Sequence, residues 1–185
     1  VCREKGLYLF MDGARLGYGL MAKGNDVTLE DIARLCDVFY IGGTKVGALF
    51  GEAVVLTMES LHTYFRYHIK QRGAMLAKGR LLGVQFEALL KDNLYVEASR
   101  QANAYAQELK QCFVEAGFPL FCDTLANQIF ITVPDEIYQK LAAQAVITYW
   151  GRVDDTHSAI RLVTSVCTRA EDVAYLKEVI SGLHL

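Results

Sequence analysis

Two short apolar runs, Leu7-Tyr8-Leu9-Phe10-Met11 and Val38-Phe39-Tyr40-Ile41, flank one helical segment, and this arrangement constrains the fold more than any other pattern in the chain. An unbroken apolar run bounded by Gly6 and by Asp12-Gly13 predicts a strand buried on both faces of a parallel sheet. Between the runs, Thr28-Leu29-Glu30-Asp31 has capping-box spacing, with Leu29, Ile32, Ala33 and Cys36 following at helical intervals. Strand, helix and strand make a βαβ unit, and its right-handed crossover leaves the strands parallel. Ligands collect beyond the carboxyl ends of such strands. Those ends carry Asp12-Gly13-Ala14-Arg15 and Gly42-Gly43-Thr44-Lys45.

Further along, the glycines of Gly47 to Gly51 allow a tight approach, and Glu52 to Thr57 predicts another strand. Helical pattern follows from Ser60 to about Asp92. A long helix is expected from about Tyr95 to Ala116, with Ala98, Ala102, Tyr105, Leu109, Cys112 and Ala116 on one stripe and Gly117 as its stop. Strands are then expected at Leu120 to Cys122, Gln128 to Val133, Ala145 to Trp150 and Ala159 to Thr164. A helix from Asp135 to Ala143 lies among them, and Thr168-Arg169-Ala170-Glu171 caps a last helix. The fold class is therefore α/β. Residues 1–93 belong to a mostly parallel sheet with helices, and residues 94–185 form a smaller α+β domain.

The 52% hydrophobic content, 22% charged content and two prolines describe a globular protein of 185 residues with a real core. A net charge of −2 gives no electrostatic reason to expect nucleic acid or an anionic membrane as partner. The apolar stretches are strand-sized and no signal pattern opens the chain, so the expected location is the cytoplasm. Cys2, Cys36, Cys112, Cys122 and Cys167 are scattered and read as reduced thiols. His62, His68, His157 and His184 lack metal-ligand spacing, so no metal site is expected.

Asp12 and Lys45 give the strand ends a chemistry. A carboxylate that keeps a pyridine nitrogen protonated and an amine that forms a Schiff base with an aldehyde are the groups pyridoxal 5'-phosphate (PLP) requires. Taken singly each motif is weak, since Asp-Gly is a common turn and a lysine after Gly-Gly-Thr is commonly a solvated loop cation. Their order and setting, however, resemble the L-threonine aldolase and β-eliminating lyase family, PLP enzymes of the aspartate aminotransferase (type I) fold. The resemblance implies that Lys45 carries the cofactor, provided that burial and nearby cations hold its amine neutral often enough. It also implies that Asp12 meets the ring nitrogen, Ala14 packs on the ring face, and Arg15 contacts cofactor or substrate carboxylate. Thr44 donates to the phosphate or shapes the loop, and Gly42 and Gly43 let backbone approach the cofactor.

Arg161 lies inside the apolar segment Ile160-Arg161-Leu162-Val163-Thr164, where a long cation is costly unless it is paired or faces a site. The family's matching arginine forks onto the substrate α-carboxylate, which suits a planar guanidinium. Arg66, His68, Lys70 and Arg72 alternate in a basic cluster, and residues two apart spread around a helix axis instead of sharing one solvated face. The resemblance places Lys70 near an active site across a subunit boundary.

The likeness covers the whole chain but only about the C-terminal half of a family member. The phosphate loop, the ring stacked on PLP and the histidine that assists proton transfer all precede the equivalent of Leu7, so the chain is expected to be a piece of a longer protein. Val46 departs from the family's usual asparagine. The implied reaction is cleavage of a β-hydroxy-α-amino acid such as L-threonine to glycine and an aldehyde, in a homodimer or homotetramer. A β-eliminating lyase would use the same residues. A catalytically incompetent folded interaction domain, and an anion or nucleic-acid module on residues 66–72, are the readings from other classes.

Overall fold

The computed structural model describes residues 1–183, so His184 lies outside the described residues. The chain divides into two compact units, Val1–Leu20 with Gly24–Glu97, and Met21–Lys23 with Ala98 onward.

The first unit holds β1 (Phe10–Met11), α1 (Leu16–Leu20), α2 (Leu29–Leu35), β2 (Val38–Gly42), β3 (Glu52–Leu56), α3 (Phe65–Gln71) and α4 (Arg80–Leu90). Its sheet has the order β1-β2-β3, with β1 parallel and β3 antiparallel to β2. The expected capping box is present. Thr28 Oγ1 accepts the Asp31 N–H at 3.2 Å, and Asp31 accepts the Thr28 N–H at 3.1 Å. Tyr18, Ile32, Phe39, Val46, Phe86 and Leu89 are buried in this unit.

Two expectations fail here. The run from Leu7 to Met11 pairs only at its last two residues, and Phe10 is 60% exposed. Burial on both faces requires flanking layers, and β2 is the sheet neighbour that β1 has among the described residues. The helical stretch from Ser60 to Asp92 breaks into α3 and α4, with Tyr64 at φ 58° before α3 and Gly73 at φ 73° after it. The alternating basic residues sit on or next to α3, within the stretch expected to be helical, and spread around its axis. Only Phe65 and Ile69 are half-buried there, so almost every side of that short helix meets solvent.

α5 (Leu94–Glu115) begins after Asp92 and Asn93, both left-handed, a conformation that short Asx side chains tolerate. It ends at Gly117, where a φ of 89° lets Phe118 N–H reach Phe113 O at 2.9 Å. The buried stripe is broader than expected and includes Ser99, Ala106 and Phe113 as well as Ala102 and Leu109.

The second unit pairs β4 (Leu120–Cys122), β5 (Gln128–Pro134), β6 (Thr148–Arg152) and β7 (His157–Val163) in the order β4-β5-β7-β6, antiparallel throughout. α6 (Asp135–Ala142) and α7 (Ala170–Ser181) complete it. Ile129, Ile131 and Val133 of β5, with Ile160 and Leu162 of β7, pack against Phe113, Ile137, Leu141, Leu176 and Ile180. Several boundaries move, and β7 starts at His157, not Ala159. β6 starts at Thr148, not Ala145, and α7 is capped one residue later than expected. Asp172, not Glu171, accepts the Arg169 N–H at 3.2 Å, while Thr168 Oγ1 accepts the Ser165 N–H at 3.0 Å.

Candidate functional site

Asp12 follows β1 directly, and the Gly42-to-Lys45 segment starts at the last residue of β2, so the parallel register brings both to one sheet edge. Glycines weld the two segments. Gly42 N–H donates to Gly13 O at 2.9 Å. A Cβ at Gly13 would sit 1.6 Å from Tyr40 O, and one at Gly42 would sit 2.5 Å from both Gly13 O and Ala14 O. A Cβ at Gly43 would strike the Phe86 ring at 2.7 Å. At Gly42 and Gly43 the space a side chain would take is thus filled by this chain's own atoms, not left for a ligand.

Asp12 is exposed, and its Oδ1 accepts the Ala14 N–H at 2.9 Å and the Tyr40 hydroxyl. The Tyr40 bond, then the Ala14 bond, hold the carboxyl below the usual carboxylate range, and Lys45 and Arg15 add a smaller attraction. The same contact with Asp12 pushes the Tyr40 hydroxyl up to about 12.

Lys45 lies in a single 3-10 turn, Thr44–Val46, that closes on Gly47 at φ 112°. Three side chains fix this turn. Tyr18 donates its hydroxyl to Lys45 O, and Tyr95 donates to Gly42 O at 2.8 Å while accepting the Gly17 N–H at 3.1 Å. Glu52 accepts the Gly43 N–H at 2.6 Å and the Thr44 hydroxyl at 3.4 Å. Burial is the main reason that the Tyr95 hydroxyl is pushed up to about 12, which keeps it a donor. The Lys45 side chain is exposed, contrary to the expectation of a buried amine, and has no ion-pair or hydrogen-bond partner among the described residues.

Arg15 is half-buried, and its Nε is buried without a hydrogen-bond partner. Lys70 is exposed and, with Arg66, Tyr67 and Met75, lines a surface depression of about 310 Å³. In the second unit, Arg161 pairs across the sheet with Phe130 and Thr148, on the face opposite the helices because Ile160 and Leu162 face the core. Its guanidinium lies 5.1 Å from the Trp150 ring centroid and reaches Gln128 Oε1 at 3.4 Å, while its Nε is buried and unpartnered. Arg161 is thus half-buried, not the exposed cation that strand alternation alone allows.

Sequence reading missed Tyr40, Glu52, Tyr18 and Tyr95. A tyrosine in an apolar strand and a glutamate at a strand's first residue are too ordinary to signal a role. For Tyr40 and Glu52 the role follows only from register, as with Gly42 opposite Glu52.

The residues present fit PLP. An ionised carboxylate, an unpaired amine and a half-buried guanidinium with an orphan N–H gather on adjacent turns, a donor set for a ring nitrogen, an aldehyde and an anionic group. No model of a protein family matches the chain. It is 30% identical over 144 residues to the low specificity L-threonine aldolase of Pseudomonas aeruginosa, covering 77% of this chain and 42% of that protein. To the enzyme of the same name from a Pseudomonas species it is 31% identical over 141 residues, covering 76% and 41%. The chain thus spans less than half the length of these curated relatives. Among solved structures, Leishmania major threonine aldolase superposes with a TM-score of 0.94 at 42% identity, over 97% of this chain and 53% of that one. Sphingomonas wittichii serine palmitoyltransferase, at 15% identity and a TM-score of 0.67, shares the type I transferase fold. Sequence and structure together place the chain in the L-threonine aldolase and β-eliminating lyase family, whose cofactor is pyridoxal 5'-phosphate.

Proposed function

We propose that this chain contributes the cofactor-holding residues of an aldehyde-lyase that cleaves a β-hydroxy-α-amino acid such as L-threonine to glycine and an aldehyde. The observation that carries the reading is the union of the Asp12 and Lys45 turns through Gly13 and Gly42 at one sheet edge. Lys45 presents an exposed amine to the cofactor's aldehyde carbon, and Asp12 presents a carboxylate to its ring nitrogen. Arg15 offers its orphan N–H to an anionic group of cofactor or substrate. Arg161 holds the substrate α-carboxylate in a planar fork, stiffened by its stack on Trp150. When bound, the cofactor supplies an electron sink for the pair released as the Cα–Cβ bond breaks. The β-hydroxyl loses a proton, Cβ leaves as a carbonyl, and Cα gains a proton to yield glycine. The whole enzyme is a homodimer or homotetramer of the cytoplasm, with Lys70 beside a neighbouring subunit's site.

Borohydride reduction of the PLP-loaded protein followed by peptide mapping tests the reading. Label on Lys45, with glycine released from threonine, is expected. Label elsewhere sinks the assignment of Lys45, and release of ammonia and a 2-oxo acid in place of glycine redirects the chemistry to β-elimination.

A further inference from the structure

Asp12 is exposed, yet its carboxylate is not free to turn. Oδ1 accepts two hydrogen bonds, from the Ala14 N–H at 2.9 Å and from the Tyr40 hydroxyl, while Oδ2 has no hydrogen-bond partner among the described residues. The first bond is an ordinary Asx turn. The second comes from the neighbouring strand and follows from register: Phe10 pairs with Val38 and Met11 with Phe39, so Tyr40 is the β2 residue level with Asp12. The Tyr40 ring is steadied by Phe10, with ring centroids 6.1 Å apart.

We propose that Tyr40 is the positioning residue for Asp12, because its hydroxyl and the Ala14 N–H together occupy Oδ1 and leave Oδ2 as the oxygen offered to the protonated nitrogen of a bound pyridine ring. The proposal rests on the PLP reading above. A carboxylate already fixed through one oxygen loses little orientational freedom when the other meets its ligand, so the preorganisation appears as affinity. The phenol is also a charge-assisted donor, about twice as strong as a neutral one. Asp12 is faced by Lys45 and Arg15, and Tyr40 by Asp12 and Glu52. With its hydroxyl pushed up to about 12, Tyr40 remains a donor across the working range, and Asp12 remains an acceptor.

The test compares the wild-type protein with Tyr40→Phe, Asp12→Asn and the double variant. Asp12 is followed by carbon-13 NMR titration without cofactor, and PLP affinity by visible absorbance. In the wild type the Asp12 midpoint lies below the ordinary carboxylate range, and in Y40F it rises. Y40F weakens PLP binding about tenfold, the size expected for one hydrogen bond to a charged group, but causes no further loss in the D12N background. An ordinary Asp12 midpoint in the wild type overturns the proposal without any variant. So does an unmoved midpoint in Y40F, or an equal loss of affinity in both backgrounds, which would mark the ring as merely structural. Absence of borohydride label on Lys45 in the wild type overturns the proposed function and the ligand-facing role of Oδ2. It is told apart from failure of the Tyr40 hold because the titration needs no cofactor.

Discussion

The two sheets of this chain use apolar residues in opposite ways. In the second unit, Ile129, Ile131 and Val133 alternate along β5 and are essentially inaccessible, with Phe113 of α5 equally buried among them. In the first unit the more continuous apolar run, Leu7 to Met11, is largely exposed, while Tyr18, Phe39 and Val46 are buried and backbone meets backbone where Gly13 contacts Tyr40 and Gly42 contacts Gly13 and Ala14. Apolar character alone therefore does not locate the packed part of a sheet. The second unit buries its two central strands, β5 and β7, because Phe113 of α5 and the apolar residues of α6 and α7 cover them. The first unit brings backbone against backbone at its candidate site, through glycines and carbonyls.

The largest test of this contrast is a pair of truncations. Phe113→Ala or Ile131→Ala is expected to cost about 3–5 kcal/mol, as transfer and cavity terms add at sites that cannot collapse. Phe10→Ala is expected to cost about 0.5 kcal/mol, the scale of a surface change. Denaturant unfolding measures both, and comparable losses would mean that β1 is covered in solution. Next in size is Gly13→Ala, whose Cβ would meet a carbonyl oxygen at 1.6 Å. Overpacking of this kind costs about 1–3 kcal/mol. Gly83→Ala is the control, since nothing lies within 4 Å of its Cβ position in α4 and the helix gains up to about 1 kcal/mol. If the two alanines behaved alike, glycine contact would not be what joins the Asp12 and Lys45 turns.

The same contrast explains what could be read from the sequence. The strands at Leu120, Gln128 and Ala159 and the helix from Asp135 were legible because each carries its own period and ends on its own turn residues. The Thr28–Asp31 box was legible because a cap is local. That Asp12 and Lys45 lie past the carboxyl ends of β1 and β2 was legible because topology dictates it. Burial of Leu7 to Met11 was misjudged because it depends on neighbours, not on the run itself. Tyr40 and Glu52 were missed because register, which no single segment encodes, turns them toward Asp12 and Gly43. The break at Tyr64 was hidden for a related reason: a tyrosine at φ 58° is set by its surroundings, and no intrinsic preference foretells it.

A smaller effect separates the units at Arg161. Trp150→Leu removes the aromatic face under the guanidinium, worth about 0.5–1 kcal/mol at a half-exposed site. Under the proposed function it should also raise the KM for the amino acid more than it lowers kcat, because the fork loses its support but keeps its charge. Steady-state kinetics with threonine checks this, and a loss confined to kcat would place Arg161 elsewhere in the chemistry.

The smallest expected effect concerns acid. Asp31 in the first unit and Asp154 in the second are both lowered to about 2, for different reasons. The largest cause at Asp31 is the Arg34 side chain, paired at 2.9 Å. At Asp154 it is the Thr156 backbone N–H, donating at 2.8 Å, with the His157 side chain second. A carboxylate whose folded pKa is depressed contributes stability that is fully present above its unfolded value of about 3.9 and is lost as pH falls toward the folded one. Both units should therefore weaken between about pH 4 and pH 2, and Asp31→Asn or Asp154→Asn should flatten that limb. Salt distinguishes them. An exposed ion pair is screened, whereas a backbone hydrogen bond within a turn is affected far less, so raising ionic strength from about 0.05 M to about 0.5 M should lift the Asp31 midpoint more than that of Asp154. Carbon-13 titration of the two carboxyls reads this directly. Equal shifts would mean that the His157 contact, not the turn's backbone, governs Asp154, and that the acid response of the second unit is as dependent on side-chain charge as that of the first.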